Sequence, residues 1–389
     1  MTPVARLSLL LVAFSQFALP VAAQRTATDT LVWPLPPDSP RIRYAGSLSS
    51  EQDLGKSRGF FKRFSSALLG DEERHPGVTR PHDVYTDPDG RMFVSNGLSA
   101  GVWEFDPKRK EASLVLPQGP AAIGKPMGLD GDGQGHLFVA DPITKRVVEI
   151  DYEGTFVRAW GGPSLFLNPV DVAVSPDGSL VYVVDSYLHQ LLIFERTGDL
   201  VRRVGHDNES LTEKLDRLAQ PPALLASATV DPHTQSEPSD LTANRGNEPG
   251  SFRYPAFVST APDGSVYVSD GMNFRVQRFN ADGDYLGGFG RLGDTPGSFS
   301  RPKGLATDSE GHVYVADAAF NNVQVFDDQG RLLLAFGSFG DGEGEMWMPA
   351  GISVDARDRI FVADRYNNRL QIFQYLTDAA AVATPSDHR

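Results

Sequence analysis

The sequence is built from six repeated units, and this repetition constrains its fold more than any other feature. Each unit begins at a proline, reaches a turn residue nine positions later and an acidic or amide residue 15 or 16 positions later. A large apolar residue follows 24 or 25 positions after the proline. The six prolines are Pro81, Pro126, Pro169, Pro255, Pro302 and Pro349. Because all six copies share these three spacings from the proline, we predict six structurally equivalent units.

The pattern within each unit predicts four short antiparallel strands. In the third unit, the apolar stretch 170–174 ends in a Pro-Asp-Gly turn, and a second stretch rich in Val and Tyr follows at 180–184. A third strand with alternating polarity and a fourth strand after a glycine turn complete the unit. Four antiparallel strands in about 45 residues form the blade of a β-propeller. We therefore predict an all-β fold, a six-bladed β-propeller over residues 81–376.

The repeats resemble the NHL family. The unit that begins at Pro349 carries the resemblance best, with Val-Ala-Asp at 362–364, a loop containing Asn367, and a strand that runs from Arg369 to Phe373. The resemblance covers residues from about 81 to 374. It implies a bacterial, secreted six-bladed propeller, and it leaves the activity open.

Two irregularities in the repeats concern the joins of the ring. The interval from Pro169 to Pro255 is 86 residues, against 43–47 elsewhere, so an inserted loop is expected at about 207–244.

The last unit stops near Phe373 and lacks an outer strand. Residues 41–47, within the N-terminal segment 24–80, have the pattern of a strand, and we expect them to pair with the last blade and close the ring. Residues 377–389 are expected to form a disordered tail.

Composition and the N-terminus narrow the classes of function. With 36 basic and 50 acidic residues, the chain has a formal net charge of −14, which disfavours nucleic-acid binding. The chain has no cysteine, which excludes disulfides, thiolate catalysis and cysteine-held zinc. Residues 1–23 have the features of a cleavable secretory signal, with cleavage expected after Ala23. We therefore expect a periplasmic or secreted monomer without a transmembrane segment.

Function is expected at one end of the propeller axis, which we call the axial mouth. The residues that follow the six prolines and the loops between second and third strands open on this end. Their side chains are mainly aromatic and polar, without a set of converging charges. The candidate binding residues are His82, Asp83, Tyr187, Met272, Lys303, Phe320 and Tyr366. They favour a binding or scaffolding module for a protein, peptide or small ligand, with no catalytic residue, metal or cofactor assigned.

The acidic residues that close the second strands are interpreted as structural. They hold the same position in five blades, as expected for side chains that accept hydrogen bonds from N–H groups of neighbouring loops. A catalytic group would break the symmetry of the repeats. These residues are Asp141, Asp185, Asp270, Asp317 and Asp364.

A metal-dependent enzyme is the alternative function. The chain is similar to peptidylglycine amidating lyases, a resemblance that implies zinc held by three axial histidines with a nearby tyrosine. Here His82 resembles one ligand position and Tyr187 resembles the tyrosine, whereas the other residues that follow the repeat prolines include no histidine. Six-bladed lactonases hold calcium with Glu, Asn and Asp at the axis, and no axial glutamate is evident in this sequence. The mouth would then rely on His82, Asp83 and Tyr187 alone.

The segment before the repeats contains a short basic, amphipathic stretch. Apolar side chains recur at helical spacing, which predicts a helix at about 58–69. Its aromatic residues Phe60, Phe61 and Phe64 either pack on the propeller or contact a membrane surface or a partner peripherally.

Overall fold

The computed structural model describes residues 31–35, 38–54, 77–205 and 246–377. The predicted signal peptide, the helix expected at 58–69, the insertion at 207–244 and all but one residue of the tail at 377–389 lie outside these ranges. None of the described helices is long and apolar enough to cross a membrane. The described part of the chain is an all-β, six-bladed propeller, as predicted.

Each of the first five blades is a four-stranded antiparallel sheet whose strands follow one another in the chain. Blade 1 consists of β3 (Asp83–Thr86), β4 (Met92–Ser95), β5 (Val102–Asp106) and β6 (Glu111–Val115). Blade 2 consists of β7 (Leu129–Gly131), β8 (His136–Asp141), β9 (Arg146–Asp151) and β10 (Phe156–Gly161). Blade 3 consists of β11 (Pro169–Val174), β12 (Leu180–Asp185), β13 (Gln190–Glu195) and β14 (Leu200–Val204).

Blades 4 and 5 repeat this arrangement after the insertion. Blade 4 consists of β15 (Pro255–Thr260), β16 (Val266–Asp270), β17 (Arg275–Phe279) and β18 (Tyr285–Phe289). Blade 5 consists of β19 (Pro302–Thr307), β20 (Val313–Asp317), β21 (Asn322–Phe326) and β22 (Leu332–Phe336). Short parallel strands β23 (Ser338–Phe339) and β24 (Glu345–Met346) lie between blades 5 and 6, and 3-10 helices occur at Glu51–Leu54, Gly119–Ala121 and Gly271–Asn273.

Blade 6 is completed by the N-terminal segment, which confirms the predicted closure of the ring. Its strands β25 (Pro349–Val354), β26 (Arg359–Asp364) and β27 (Arg369–Tyr375) are followed in the sheet by β2 (Ile42–Leu48) and β1 (Val32–Trp33). Strand β2 pairs antiparallel with β27, from Ile42 opposite Tyr375 to Leu48 opposite Leu370. The last blade therefore has its outer edge covered by a strand from the start of the chain.

The turns between first and second strands explain the turn residue of the repeat. In blades 1 to 5 this residue is a glycine with positive φ, for example +73° at Gly178 and +83° at Gly311. In blade 6 the position is taken by Asp358, whose φ of +56° lies in the left-handed region that Asp tolerates better than most residues.

The hydrophobic core of the described residues lies between blades. Each buried cluster draws side chains from two neighbouring blades, as where Phe138 and Trp160 of blade 2 pack with Val172 and Val181 of blade 3. The alternation within each strand is responsible, because side chains point in turn to the two faces of the blade and both faces are covered. The innermost strands contact one another in cyclic order, which places blade 1 opposite blade 4 across the axis.

Candidate functional site

The aspartates that close the second strands have a structural role, which agrees with the sequence interpretation. Asp185 accepts hydrogen bonds from four backbone N–H groups, those of Leu167, Asn168, Tyr187 and Leu188, at 2.7–3.0 Å. The equivalent residues in the other four blades likewise bind the preceding loop or side chains of the third strand: Asp141, Asp270, Asp317 and Asp364. These buried carboxylates hold the loops of the axial mouth in place.

His82 lies at the centre of the axial mouth, where it closes the axis. Its ring stacks on Phe257 of the opposite blade, with ring centroids 5.3 Å apart and an interplanar angle of 14°. The side chain is buried, with 6% of its surface exposed. Burial, followed by the positive charges of Lys303 and Arg365, lowers the pKa of His82 to about 3, so the imidazole is neutral at physiological pH.

Basic side chains surround His82, which the sequence analysis did not anticipate. Lys303, Arg365 and Lys125 all act on its pKa as neighbouring positive charges. Burial, then the charges of Arg301 and Arg365, lowers the pKa of Lys303 to about 8. The sequence does carry a signal for part of this set, since the residue directly before the repeat proline is basic in three units: Arg80, Lys125 and Arg301.

Aromatic side chains form the rim of the axial mouth in two groups. On one side Tyr187, 56% exposed, lies edge-on to Tyr254 at 6.4 Å between ring centroids. On the other side Trp347 packs on Tyr366 at 5.4 Å, and Arg80 lies 5.5 Å from the centroid of Tyr366. The structure therefore adds Tyr254 and Trp347 to the aromatic residues selected from the sequence.

The remaining residues selected from the sequence lie at different depths. Met272 is exposed on the rim and Phe320 is half-buried there. Lys303 is half-buried near His82. Asp83 is buried and lines the axial cavity, so it is not part of the exposed rim.

Three carboxyl groups line a cavity of about 150 Å³ along the axis, enclosed by the innermost strands. Each accepts a hydrogen bond from the backbone of the following blade: Asp83 from Leu129, Asp130 from Val174, and Asp171 from Val258, at 2.7–2.9 Å. Of these residues only Asp83 was predicted from the sequence as a candidate binding residue.

Burial governs the protonation of these axial carboxyls. It raises the pKa of Asp83 and of Asp130 to about 7. The pKa of Asp171 is also raised, by burial and by the nearby charge of Asp83.

Glycines make room for two of these carboxyls. A Cβ on Gly351 would come within 2.1 Å of Asp83 Oδ1, and one on Gly128 within 1.8 Å of Asp171 Oδ1. All four residues lie two positions after a repeat proline. Gly351 of blade 6 is thus equivalent to Asp83 of the neighbouring blade 1, and Gly128 of blade 2 is equivalent to Asp171 of the neighbouring blade 3. A glycine in the neighbouring blade therefore gives each of these two carboxyls the space it occupies.

The described residues of the axial mouth do not fit the zinc site that the lyase resemblance implies. Of the described histidines only His82 lies at the axis. His189 lies out on the rim, where its Nδ1 accepts the N–H of Tyr254 at 2.9 Å. His136 and His312 lie in turns at the opposite end, beside Asp132 and Asp308. The nearest charges to His82 are positive, and they would repel a divalent cation. A catalytic zinc needs three protein ligands, which these residues do not supply.

A group with metal-ligating atoms lies elsewhere, at Asp132, His136 and Glu149, whose ligand atoms are within 4.8 Å of one another. Arg196 lies among them, with Nη2 2.7 Å from Asp132 Oδ2 and hydrogen-bonded to Glu149. The guanidinium already neutralises both carboxylates, so this group is an ion-pair network between blades 2 and 3.

Comparison with known proteins supports the repeat assignment. Residues 299–326 and 346–373 match the NHL repeat. Peptidylglycine alpha-amidating monooxygenase of Rattus norvegicus is 23% identical over 234 residues, and the match covers 51% of this chain and 23% of that protein. The Mus musculus protein of the same description is 23% identical over 236 residues, with the same coverage. The chain thus spans about a quarter of the length of the curated relatives it matches.

Two solved structures show the same fold. A streptogramin B lyase has a TM-score of 0.51 and 11% identity, and the match covers 77% of this chain and 94% of that chain. A gluconolactonase from Xanthomonas campestris has a TM-score of 0.53 and 14% identity, and the match covers 77% and 86%. At these identities the likeness concerns the fold alone.

Fold, ring closure and repeats together define a class, the six-bladed β-propellers with four-stranded blades. Within that class, two of the six repeats of this chain, at residues 299–326 and 346–373, match the NHL repeat.

Proposed function

We propose that this protein is a binding module whose ligand, a protein, peptide or small molecule, docks at the axial mouth. The observation that carries the proposal is the exposed aromatic rim around that mouth. Trp347 is 45% exposed and Tyr366 is 38% exposed, although both are anchored by contacts with each other. Rigid, partly exposed aromatic side chains provide a large contact area at low entropic cost, which makes them common binding anchors.

The scaffold beneath the rim supports the same function. Asp364 accepts a hydrogen bond from the Trp347 N–H at 2.8 Å, and Asp185 accepts one from the Tyr187 N–H at 3.0 Å. Both aromatic groups therefore stand on loops held by buried carboxylates, which keeps them ordered before a ligand arrives. An exported location, which the pattern of residues 1–23 favours, is part of the proposal.

Catalysis is not favoured by the arrangement at the mouth. The curated relatives are named for amidating activity, but the described residues here supply one axial histidine and several positive charges.

The binding function is tested by replacing one aromatic residue on each side of the rim. We expect the double variant Tyr187→Ala, Tyr366→Ala to lose capture of partners from a cell extract, with the melting temperature within a few degrees of the original. The matched control is Phe156→Ala, Tyr285→Ala, which removes two aromatic side chains of similar exposure, 39% and 40%, from outer strands.

The control variant should capture the same partners as the original protein. Capture that survives loss of both tyrosines would contradict the proposed binding face. Capture lost equally in both double variants would show that the effect is not specific to the mouth.

A further inference from the structure

The axial mouth concentrates positive charge in a protein whose net charge is −14. Lys125, Lys303 and Arg365 all lie near His82, and Arg301 lies near Lys303. These four side chains come from blade 5, blade 6 and the loop before blade 2, and none forms an ion pair with an acidic side chain among the described residues. Like charges brought together without a counter-charge raise the free energy of the folded protein, so the arrangement calls for an anion.

Two buried polar atoms at the same place lack hydrogen-bond partners within the described part of the chain. Arg365 Nε is a buried donor without an acceptor, and His82 Nδ1 is buried without a partner. Buried polar groups are nearly always paired, with protein, water or a bound ion. The Nε–H of Arg365 is therefore available to donate to an oxygen of a ligand.

The shape of the site limits the size of what enters it. The stack of His82 on Phe257 closes the axis and forms an apolar floor below the basic side chains. Half-buried Lys303 and Arg365 stand beside this floor, and exposed Arg301 lies further out. An anionic group can therefore reach Lys303 and Arg365 from the mouth but cannot pass down the axis.

We propose that the axial mouth contains an oxyanion subsite that binds the carboxylate or phosphate group of a small ligand through Lys303 and Arg365. This inference deepens the proposed binding function and rests on it. A guanidinium presents paired N–H donors that match the oxygens of carboxylate and phosphate, and an adjacent ammonium adds a point charge. Lys125 and Arg301 strengthen the positive potential, and the aromatic rim contacts the rest of the ligand.

The subsite is tested by calorimetric titration of the purified chain with inorganic phosphate and, separately, with citrate. Saturable binding of either probe is expected, and the two probes distinguish a phosphate from a carboxylate preference. Lys303→Met and Arg365→Met should each weaken anion binding about tenfold or more, because each substitution removes one charge-assisted hydrogen bond to the anion. The matched control is Lys108→Met, which removes one positive charge away from the mouth. There the Nζ of Lys108 lies 2.7 Å from Asp89 Oδ1.

Thermal stability, measured with and without an anion, provides a second readout. Because Lys303 lies beside other cations, Lys303→Met should melt no lower than the original protein when no anion is present. At the same anion concentration, phosphate or citrate should raise the melting temperature of the original protein and of Lys108→Met clearly more than that of Lys303→Met.

The pH dependence of binding gives a further check. The groups that face Lys303 are Arg301, Arg365 and the neutral His82, with Lys125 beyond His82. The probe for this experiment is sulfate. Because the pKa of Lys303 is lowered to about 8, the ammonium group of Lys303 loses its proton between pH 7 and pH 9. The affinity of the protein for sulfate should therefore fall over this range. Lys303→Arg should bind sulfate with little change over the same range.

The outcomes separate this inference from the proposed function. If neither phosphate nor citrate binds, or if Lys108→Met weakens binding as much as Lys303→Met, the oxyanion subsite is wrong, even where partner capture still depends on Tyr187 and Tyr366. If the anions bind as expected but capture survives loss of both tyrosines, the subsite stands and the aromatic binding face fails.

Discussion

At the scale of single residues, charge is separated along the propeller axis. The carboxyls of buried Asp83 and Asp171 and of half-buried Asp130 line the cavity. The basic residues around Lys303 lie beyond the stack of His82 on Phe257. Each axial carboxyl accepts a backbone N–H from the next blade, so it joins two blades through one side chain. The cost is desolvation, which is why their pKa values are raised.

These raised pKa values predict the pH dependence of stability. With a pKa of about 7 when folded against 3.8 when unfolded, Asp83 binds more protons in the folded state between these values. Its contribution to the free energy of unfolding therefore falls as pH rises from about 4 to 7. We expect Asp83→Asn to gain stability relative to the original protein, by roughly 2–4 kcal/mol, when both are moved from pH 4.5 to pH 8.

Chemical denaturation of both proteins at the two pH values measures this difference. The control is Asp328→Asn, which alters an exposed aspartate in the turn between β21 and β22. For the control, the stability relative to the original protein should be nearly the same at both pH values. A pH-independent difference for Asp83→Asn would mean that this carboxyl is ionised in the folded protein throughout the range.

At the scale of elements, the ring is closed by a strand that is distant in the sequence from the blade it completes. Strand β2 lies between β27 and β1, with Ile42 fully buried and Trp33 in contact with Phe336 and Phe373. The N-terminal segment thus contributes both backbone pairing and apolar side chains to the core between blades 5 and 6.

Removal of residues 26–50 should therefore destabilise the propeller markedly. The truncated protein is expected to melt at least about 10 °C lower or to aggregate, because the edge of β27 and the apolar core beside it become exposed. A synthetic peptide of residues 31–50 should restore the melting temperature by adding the missing strand, whereas a scrambled peptide should not. An unchanged melting temperature and a monodisperse monomer after truncation would contradict closure by β2.

Local features of the fold were predictable from the sequence, and features that depend on ring geometry were not. The glycine turns, Asp185 and its equivalents, and the closing strand follow from repeat offsets and a missing strand, which are read along the chain. Arg365 and Lys303 belong to different units, and the offset of each is occupied by uncharged residues in most other blades. Their convergence on His82 results from the closure of six blades around one axis, so residue spacing alone did not reveal it.

At the scale of the whole molecule, neighbouring blades are held together by contacts that do not involve the inserted segment. Between blades 3 and 4, Asp171 accepts the N–H of Val258 at 2.7 Å, and the hydroxyl of Tyr182 donates to the carbonyl of Ala281 at 3.0 Å. A buried cluster that includes Val184 and Phe279 fills the space between the same two blades. The join between blades 3 and 4 is therefore built like the other joins, although about 40 more residues connect these two blades.

Replacement of residues 207–244 by a short glycine-containing turn should consequently leave the six-bladed ring intact. We expect a soluble monomer with β-sheet circular dichroism and a melting temperature within about 5 °C of the original, since loop length contributes little to the free energy of unfolding. Val184→Ala is the comparison for a weakened join, because it removes apolar contact from the buried cluster between blades 3 and 4 and should cost about 1–3 kcal/mol. A shortened protein that fails to fold, or that loses more stability than Val184→Ala, would place part of 207–244 in the core and would require a different account of how blades 3 and 4 are joined.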